Sequence, residues 1–474
     1  MSSFPYTFPI TFPDDYLVEV AWGTSTYDDI SADVKSVRFS RGKSDELGKA
    51  EVGQLSITLN NADAKYTPNA GGVISAALLP KKPIHVAYCD GGTDYHLFYG
   101  FIEEIIPHPH LSEQDCIITA VDGIDFLSRH DMATALYKNA LTGTIHGYIL
   151  DDAGWSATMR SVDAGQDTVP YWYGQDVKAR YAQEQIDDSE QGFSYISGNG
   201  YFNFEDRHHR STATHQTPQG TFTDTMAYIT YSLNPKNIYN IVKATVTPWT
   251  LQAEAELWRL QETPSIPVGE TFTFWGESQY FVDAWVTPVI TTDYTASGTV
   301  SIATTKFAKT IKLEVTNTDT VPVTITLLKA RGTWYDDQTK VTRKAEDTTS
   351  QTAYQKRTFE LDGKYLTNTG KAQDFANYAI GKYKDPRAEL SMGLVNQDAA
   401  TLTQILSREI SDRITVTNTK LGITAKDYFI DYMQHDITLG GKLHTVSYRL
   451  ADCINEDFWA LDFSKLNTQT KIGY

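Results

Sequence analysis

The sequence predicts a mainly β, multidomain fold with an α+β middle domain, two small β-barrels and an inserted β-sandwich. Three observations carry that expectation. At 474 residues the chain exceeds the length at which one hydrophobic core usually keeps growing, so three or four domains are expected. With 28 Tyr, 20 Phe and 9 Trp, 41% hydrophobic and 21% charged residues, it is aromatic-rich and neither disordered nor fibrous. Short runs of period-two alternation recur along it, separated by Gly, Asn and Asp turn clusters.

In residues 1–130, Val18, Val20 and Trp22 share one strand face, as do Val37 and Phe39, and Leu55, Ile57 and Leu59. Further strands are expected at 84–88, 96–106 and 116–121, so this region is assigned an N-terminal arm and a first barrel. Residues 131–250 mix helix and strand. A helix over 141–153 stops at Gly154, a second is expected over 177–186, and 193–196 with 201–205 forms a hairpin about Ser197-Gly198-Asn199-Gly200. Residues 251–345 form a Thr-rich block, in which Ile311, Leu313 and Val315, and then Val323, Ile325 and Leu327, alternate with polar residues as in a half-buried antiparallel sheet. That block is assigned as the inserted sandwich. In residues 346–474, Ala372, Phe375, Ala376, Ala379, Ile380 and Tyr383 trace one helical face ended by Pro386, and strands about a Gly440-Gly441 turn make the second barrel.

Several motifs recur in an ordered series. They are Arg41-Gly42, Glu46-Leu47, Gly53, Asn61-Ala62-Asp63, Tyr66-Thr67-Pro68, Tyr99-Gly100-Phe101-Ile102 and 121–127, then Ala153-Gly154-Trp155, Glu190-Gln191-Gly192 and Phe204-Glu205-Asp206-Arg207. Val315-Thr316-Asn317 with Ala330-Arg331-Gly332 is found in similar form in the inserted blocks of many tail proteins. In this order the series resembles the hub proteins of tailed-phage tail tips and baseplates, the minor tail proteins of long-tailed phages. The resemblance implies a virion structural protein of the tail. Such a protein assembles as a homotrimer beneath the distal tail ring, closes the tail tube, opens to pass DNA or the tape-measure protein, and contacts tail fibres or receptor-binding proteins. It implies no catalytic residue and no cofactor. The alternative is a carbohydrate-binding or cell-wall-degrading tail protein, although hubs of the latter kind carry a C-terminal lytic extension and this chain ends at Tyr474, shortly after the second barrel.

Composition bears on both readings. The opening MSSFPYTFPITFPDD lacks a signal-peptide pattern, and no apolar run is long enough for a membrane span. A formal net charge of -18 argues against binding nucleic acid through its phosphates, and an acidic conduit would let DNA pass without sticking. Cys89, Cys116 and Cys453 lack zinc or redox spacing and are read as buried thiols. His208 and His209, adjacent on a strand and flanked by arginines, make a poor chelate; His108-Pro109-His110 has better geometry but no third ligand, so neither is assigned a metal. Paired carboxylates such as Asp151-Asp152 and Asp187-Asp188 invite a glycosidase reading, yet sequence neighbours are seldom the catalytic pair. Phosphate-loop, nucleophile-elbow and zincin motifs are missing. Tyr171, Trp172 and Tyr173, after Pro170, are the one candidate contact site: a stacking surface for sugar, an anchor for a protein, or an aromatic cluster buried in the middle domain.

Overall fold

The strands that alternate most cleanly in the sequence build the centre of the fold. In Val34–Gly42 and Glu51–Asn60 the side chains of Val37, Phe39, Leu55, Ile57 and Leu59 turn to one face, where none is more than 2% exposed. The computed structural model describes residues 15–453 except 24, 25, 72, 73, 75, 76, 91, 111–113, 225 and 338; the expected N-terminal arm falls on residues outside that set. Among the described residues the fold is mainly β and spread over several sheets.

The largest sheet has 13 strands and does not divide at the expected barrel boundaries. Val34–Gly42 pairs on one side with Glu51–Asn60 and on the other with Ile423–Thr438, Val37 opposite Ile437 and Gly42 opposite Tyr432. From that seam the sheet runs one way through Gln114–Val121, Thr93–Pro109, Pro83–Asp90 and Tyr16–Val20, and the other way through Leu443–Asp452, Ala388–Val395 and Tyr228–Leu233. The two expected closed barrels are therefore joined as one continuous sheet, and no pairing among the described residues closes either half into a ring. The physical reason is edge satisfaction: an unpaired strand edge exposes a row of backbone donors and acceptors, and here each half supplies the other's missing neighbour. Tyr16 strengthens the seam, its hydroxyl 2.8 Å from His444 Nδ1, while His444 Nε2 lies 2.9 Å from His435 Nδ1.

Around this sheet the elements follow local sequence signals. Thr142–Asp152 is helical and is followed by Gly154 at φ +72°, the left-handed conformation that favours glycine. The next helix, Ala179–Glu190, begins two residues later and runs four residues further than the sequence suggested, ending on left-handed Gln191. Thr369–Tyr383 is capped by Asn368, whose side-chain oxygen accepts from the Gly370 N–H at 2.8 Å. Its apolar face packs on the three-stranded sheet of Val341–Glu346, Ile241–Val246 and Thr358–Gly363, where Ala376, Phe375, Val242 and Val246 share a core. In the inserted block, a five-stranded and a three-stranded sheet enclose a core that includes Ile266, Trp285, Leu313, Val315 and Ile325. No helix among the described residues is long and apolar enough to cross a membrane.

Candidate functional site

Several motifs that stand apart in sequence, those at Arg41-Gly42, Glu46, Gln191-Gly192 and Glu205–Arg207, meet in space around an ionic junction. Its first side is the end of the Val34–Gly42 strand. Gly42 sits at φ +109°, and a Cβ there would lie 2.2 Å from the Asp431 carbonyl oxygen, so only glycine lets the two backbones approach. The bend delivers Lys43 inward: its backbone N–H donates to the Asp431 carbonyl at 2.9 Å, and its ammonium lies 3.7 Å from the Asp431 carboxylate. Just before the bend, the Arg41 guanidinium, 4% exposed, donates to Glu409 at 2.7 Å.

From the opposite side Arg210 reaches the same Asp431 carboxylate at 2.7 Å and donates to Ser411 Oγ at 3.1 Å. Ser411 Oγ in turn donates to Glu205 at 2.5 Å, and the Tyr195 hydroxyl donates to the other Glu205 oxygen at 3.1 Å. Glu46, at the rim, lies 2.8 Å from Lys382 and 3.2 Å from Arg387. A cavity of about 230 Å³ is lined by Lys43, Glu46, Glu205 and Arg210, with Phe193, Phe359 and Phe375 also on its wall. Electrostatics follow from burial and pairing. Burial pushes the Lys43 ammonium pKa down against the pull of Asp431, and it pushes the Glu205 carboxyl up against Arg210 and His209. At Glu46 burial also opposes ionisation, but Lys382 and Arg387 outweigh it and hold the carboxyl at about 2.

Two of the remaining motifs adjoin this junction, with Gln191 and Gly192 on the cavity wall and Gly53 beside Arg41, and the others tie elements together elsewhere. Buried Glu190 accepts from Thr142 Oγ1 at 2.7 Å and from the backbone N–H of Asp167 at 3.0 Å, and it lies 3.4 Å from Arg207. A Cβ on Gly192 would lie 2.7 Å from Phe204, one on Gly123 would lie 2.2 Å from Trp155, and one on Gly53 would lie 2.5 Å from Asp122. Asp122 accepts from the Ile124 N–H at 2.9 Å and caps the Gly123–Arg129 helix, while burial raises its carboxyl to about 7. Tyr66, fully buried, donates through its N–H to Asn61 Oδ1 at 2.8 Å and through its hydroxyl to Asp33 at 2.5 Å.

The candidate contact residues lie elsewhere. Tyr171 and Trp172 are 2% and 1% exposed, so neither ring offers a face to solvent. Tyr171 packs against Trp249, Phe281 and Tyr335 with centroids 4.5, 5.0 and 5.1 Å away, and Tyr173 packs on Phe281 at 5.1 Å. Their strand, Thr168–Trp172, is thereby seated against the inserted block, and Lys138 adds an ion pair to Asp283 at 2.7 Å. The physical reason is area: rings this large gain most by leaving water where partners are available. His209 lies 2.7 Å from Asp163 and 3.1 Å from His215, while the His108 and His110 rings are 5.9 Å apart; no metal-competent cluster of three His, Cys, Asp or Glu occurs among the described residues. Burial raises the Cys89 and Cys116 thiols to about 11, which removes thiolate chemistry at neutral pH. Sequence reasoning missed Asp431, Glu409, Lys382 and Arg387, since charges that pair across more than 200 residues leave no periodic signal.

Comparison with solved structures places this geometry. A 43 kDa tail protein of the MuSo2 prophage from Shewanella oneidensis aligns over 93% of this chain and 98% of its own, with 10% identity and a TM-score of 0.51. A tail protein from Neisseria meningitidis MC58 aligns over 92% of this chain and 97% of its own, with 9% identity and a TM-score of 0.53. This chain has the fold of prophage tail proteins. No family model matches it, and no curated protein matches by sequence. The tail-protein fold therefore extends over nearly the whole chain at an identity near one residue in ten, and the ionic junction lies inside it.

The charges of this region and of the surface differ in what their removal costs. Asp431→Asn removes the carboxylate nearest to both Lys43 and Arg210, leaving buried Lys43 without its ion-pair partner, and is expected to destabilise the protein by about 3–5 kcal/mol in urea unfolding. Breaking the exposed pair Lys340–Asp362, whose side chains are 55% and 60% exposed, costs less than about 1 kcal/mol in the same assay. Asp122 has a folded pKa raised from 3.8 to about 7, so its contribution is greatest at low pH and is lost as pH rises through about 7. Asp122→Asn keeps the cap acceptor and is expected to match the parent below about pH 4 and to exceed its stability at about pH 8.

Proposed function

We propose that this chain is a structural protein of a phage-type tail, located in the virion tail, and that it forms the hub of the tail tip or baseplate. The observation that carries the reading is the shared fold with two prophage tail proteins over more than nine-tenths of all the chains compared. In this reading three copies form a homotrimer beneath the distal tail ring, close the tail tube, and open for the tape-measure protein and the genome. Tail fibres or receptor-binding proteins attach at the periphery. The net charge of -18 supports a conduit that repels DNA in preference to specific nucleic-acid binding. We take residues 1–130 and 346–474 as paired barrel-like halves, 131–250 as the middle hub domain and 251–345 as an inserted sandwich.

The ionic junction supports a mechanical role over an enzymatic one. Asp431, Glu190 and Glu205, three buried carboxylates at or beside it, are each tied to a cation or to hydrogen-bond donors within the protein. Carboxylates held in this way lock elements together; they are not poised on opposite sides of an open cleft, as glycosidic cleavage requires. Light scattering combined with negative-stain imaging of the chain mixed with its distal tail ring tests the proposal. A three-chain mass and a three-fold ring with a central opening are expected, and a chain that stays monomeric in the presence of that ring contradicts it.

A further inference from the structure

Trp275 is the most exposed of three aromatic side chains that the inserted block leaves largely in solvent, the others being Phe272 and Phe307. Along Thr271–Glu277, Phe274 turns inward opposite Leu313, whereas Trp275 turns outward and is 57% exposed. Its row across the sheet continues through Lys312 of Thr310–Asn317 to Thr305 of Val300–Lys306, and the neighbouring row is Thr273, Glu314 and Ala303. Lys312 and Glu314 neutralise each other at 2.7 Å. The Trp275 indole stacks on Phe307, itself 45% exposed, with centroids 5.9 Å apart and planes 26° from parallel. The indole thus stands on a sheet face that also presents Thr273, Thr305, Ala303, Glu277 and the Lys312–Glu314 ion pair.

Covering a ring of this size is favourable, and the outward residues of its two rows, Lys312, Thr305, Thr273, Glu314 and Ala303, are small or polar, so apart from the Phe307 stack no apolar side chain of these rows covers the indole. The chemistry of the platform selects its occupant. A protein partner needs an apolar centre within roughly 800 Å² of contact per side, far more than two rings supply. A nucleic acid needs uncompensated cations for its phosphates, and here the nearest lysine is paired. A pyranose has an apolar C–H face that matches an indole and a rim of hydroxyls that matches threonine and a neutral ion pair. We propose that Trp275, supported by Phe307, is a stacking site for a neutral pyranose of a cell-surface polysaccharide, with Thr273, Thr305 and the Lys312–Glu314 pair at its polar rim. This deepens the tail reading by giving the inserted block a host-facing ligand, and it rests on that reading for its biological setting alone.

The test uses the full chain labelled with 5-fluorotryptophan and observed by ¹⁹F NMR, with the Trp275 resonance assigned by its loss in Trp275→Phe. Hexasaccharides of glucose, galactose and N-acetylglucosamine are the probes, with a heparin hexasaccharide as the anionic comparison. Saturable movement of the Trp275 resonance with at least one neutral probe is expected, and calorimetric titration with that probe is expected to show affinity falling about tenfold or more in Trp275→Ala, while three-fold assembly on the distal ring is retained. A resonance unmoved by all three neutral probes, or moved by heparin alone, overturns the assignment. A Trp275→Ala chain that loses assembly instead marks the ring as a contact between chains and overturns it too. Because assembly is read separately, failure of glycan binding leaves the hub reading standing, and failure of assembly in the parent chain is seen as a distinct result.

Discussion

Two cations, Lys43 and Arg210, converge on a single buried carboxylate, Asp431, and the rest of the structure is arranged so that none of the three is left alone. In a low-dielectric interior an uncompensated charge costs several kcal/mol, a large share of the stability of any domain. The three groups come from widely separated parts of the sequence: the bend after the first central strand, the segment after the middle hairpin, and the long strand near the C-terminus. Satisfying them requires the two halves of the large sheet to meet at the seam between Val34–Gly42 and Ile423–Thr438. Charge balance and strand pairing thus impose the same geometry, an agreement between levels that favours one native state.

The periodic parts of this arrangement were legible from residues alone. Alternation located the Val34–Gly42, Glu51–Asn60 and Thr310–Asn317 strands, and helical spacing found Thr369–Tyr383 to within a residue. Short helices were missed, as at Gly123–Arg129 and Ala399–Ser407, where a single Asp cap starts a segment of seven or nine residues, too short to show a clear helical period. The seam itself was missed because register between strands some 390 residues apart depends on tertiary packing, which a local pattern does not encode. For the junction, the glycines and the Arg, Glu and Asp of the ordered motifs were visible, but their partners Asp431, Lys382 and Arg387 were not.

The aromatic residues show the same division between pattern and context. Tyr171-Trp172-Tyr173 is conspicuous in sequence, yet the structure packs Tyr171 against Trp249, Phe281 and Tyr335 and Tyr173 on Phe281, seating the inserted block on the middle region, while Trp172 is buried in a core beside Tyr137. Trp275 is less conspicuous and is 57% exposed. Its signal was present in TFTFWGE, where alternation assigns Trp275 to the threonine side of the strand. A large ring on the polar phase of an alternating strand is a better sign of a contact surface than a cluster of rings, because clustered rings usually have one another to pack on.

Native-state hydrogen exchange measured by mass spectrometry across a urea series tests the central claim most directly. If the junction joins the first central strand, the middle hairpin and the closing strands into one cooperative body, peptides covering 36–49, 193–210 and 409–433 open with a common free energy and a common urea dependence. Peptides from the first and last of these segments opening at clearly different free energies would contradict the account, since the two sides of the Asp431 junction would then be separable.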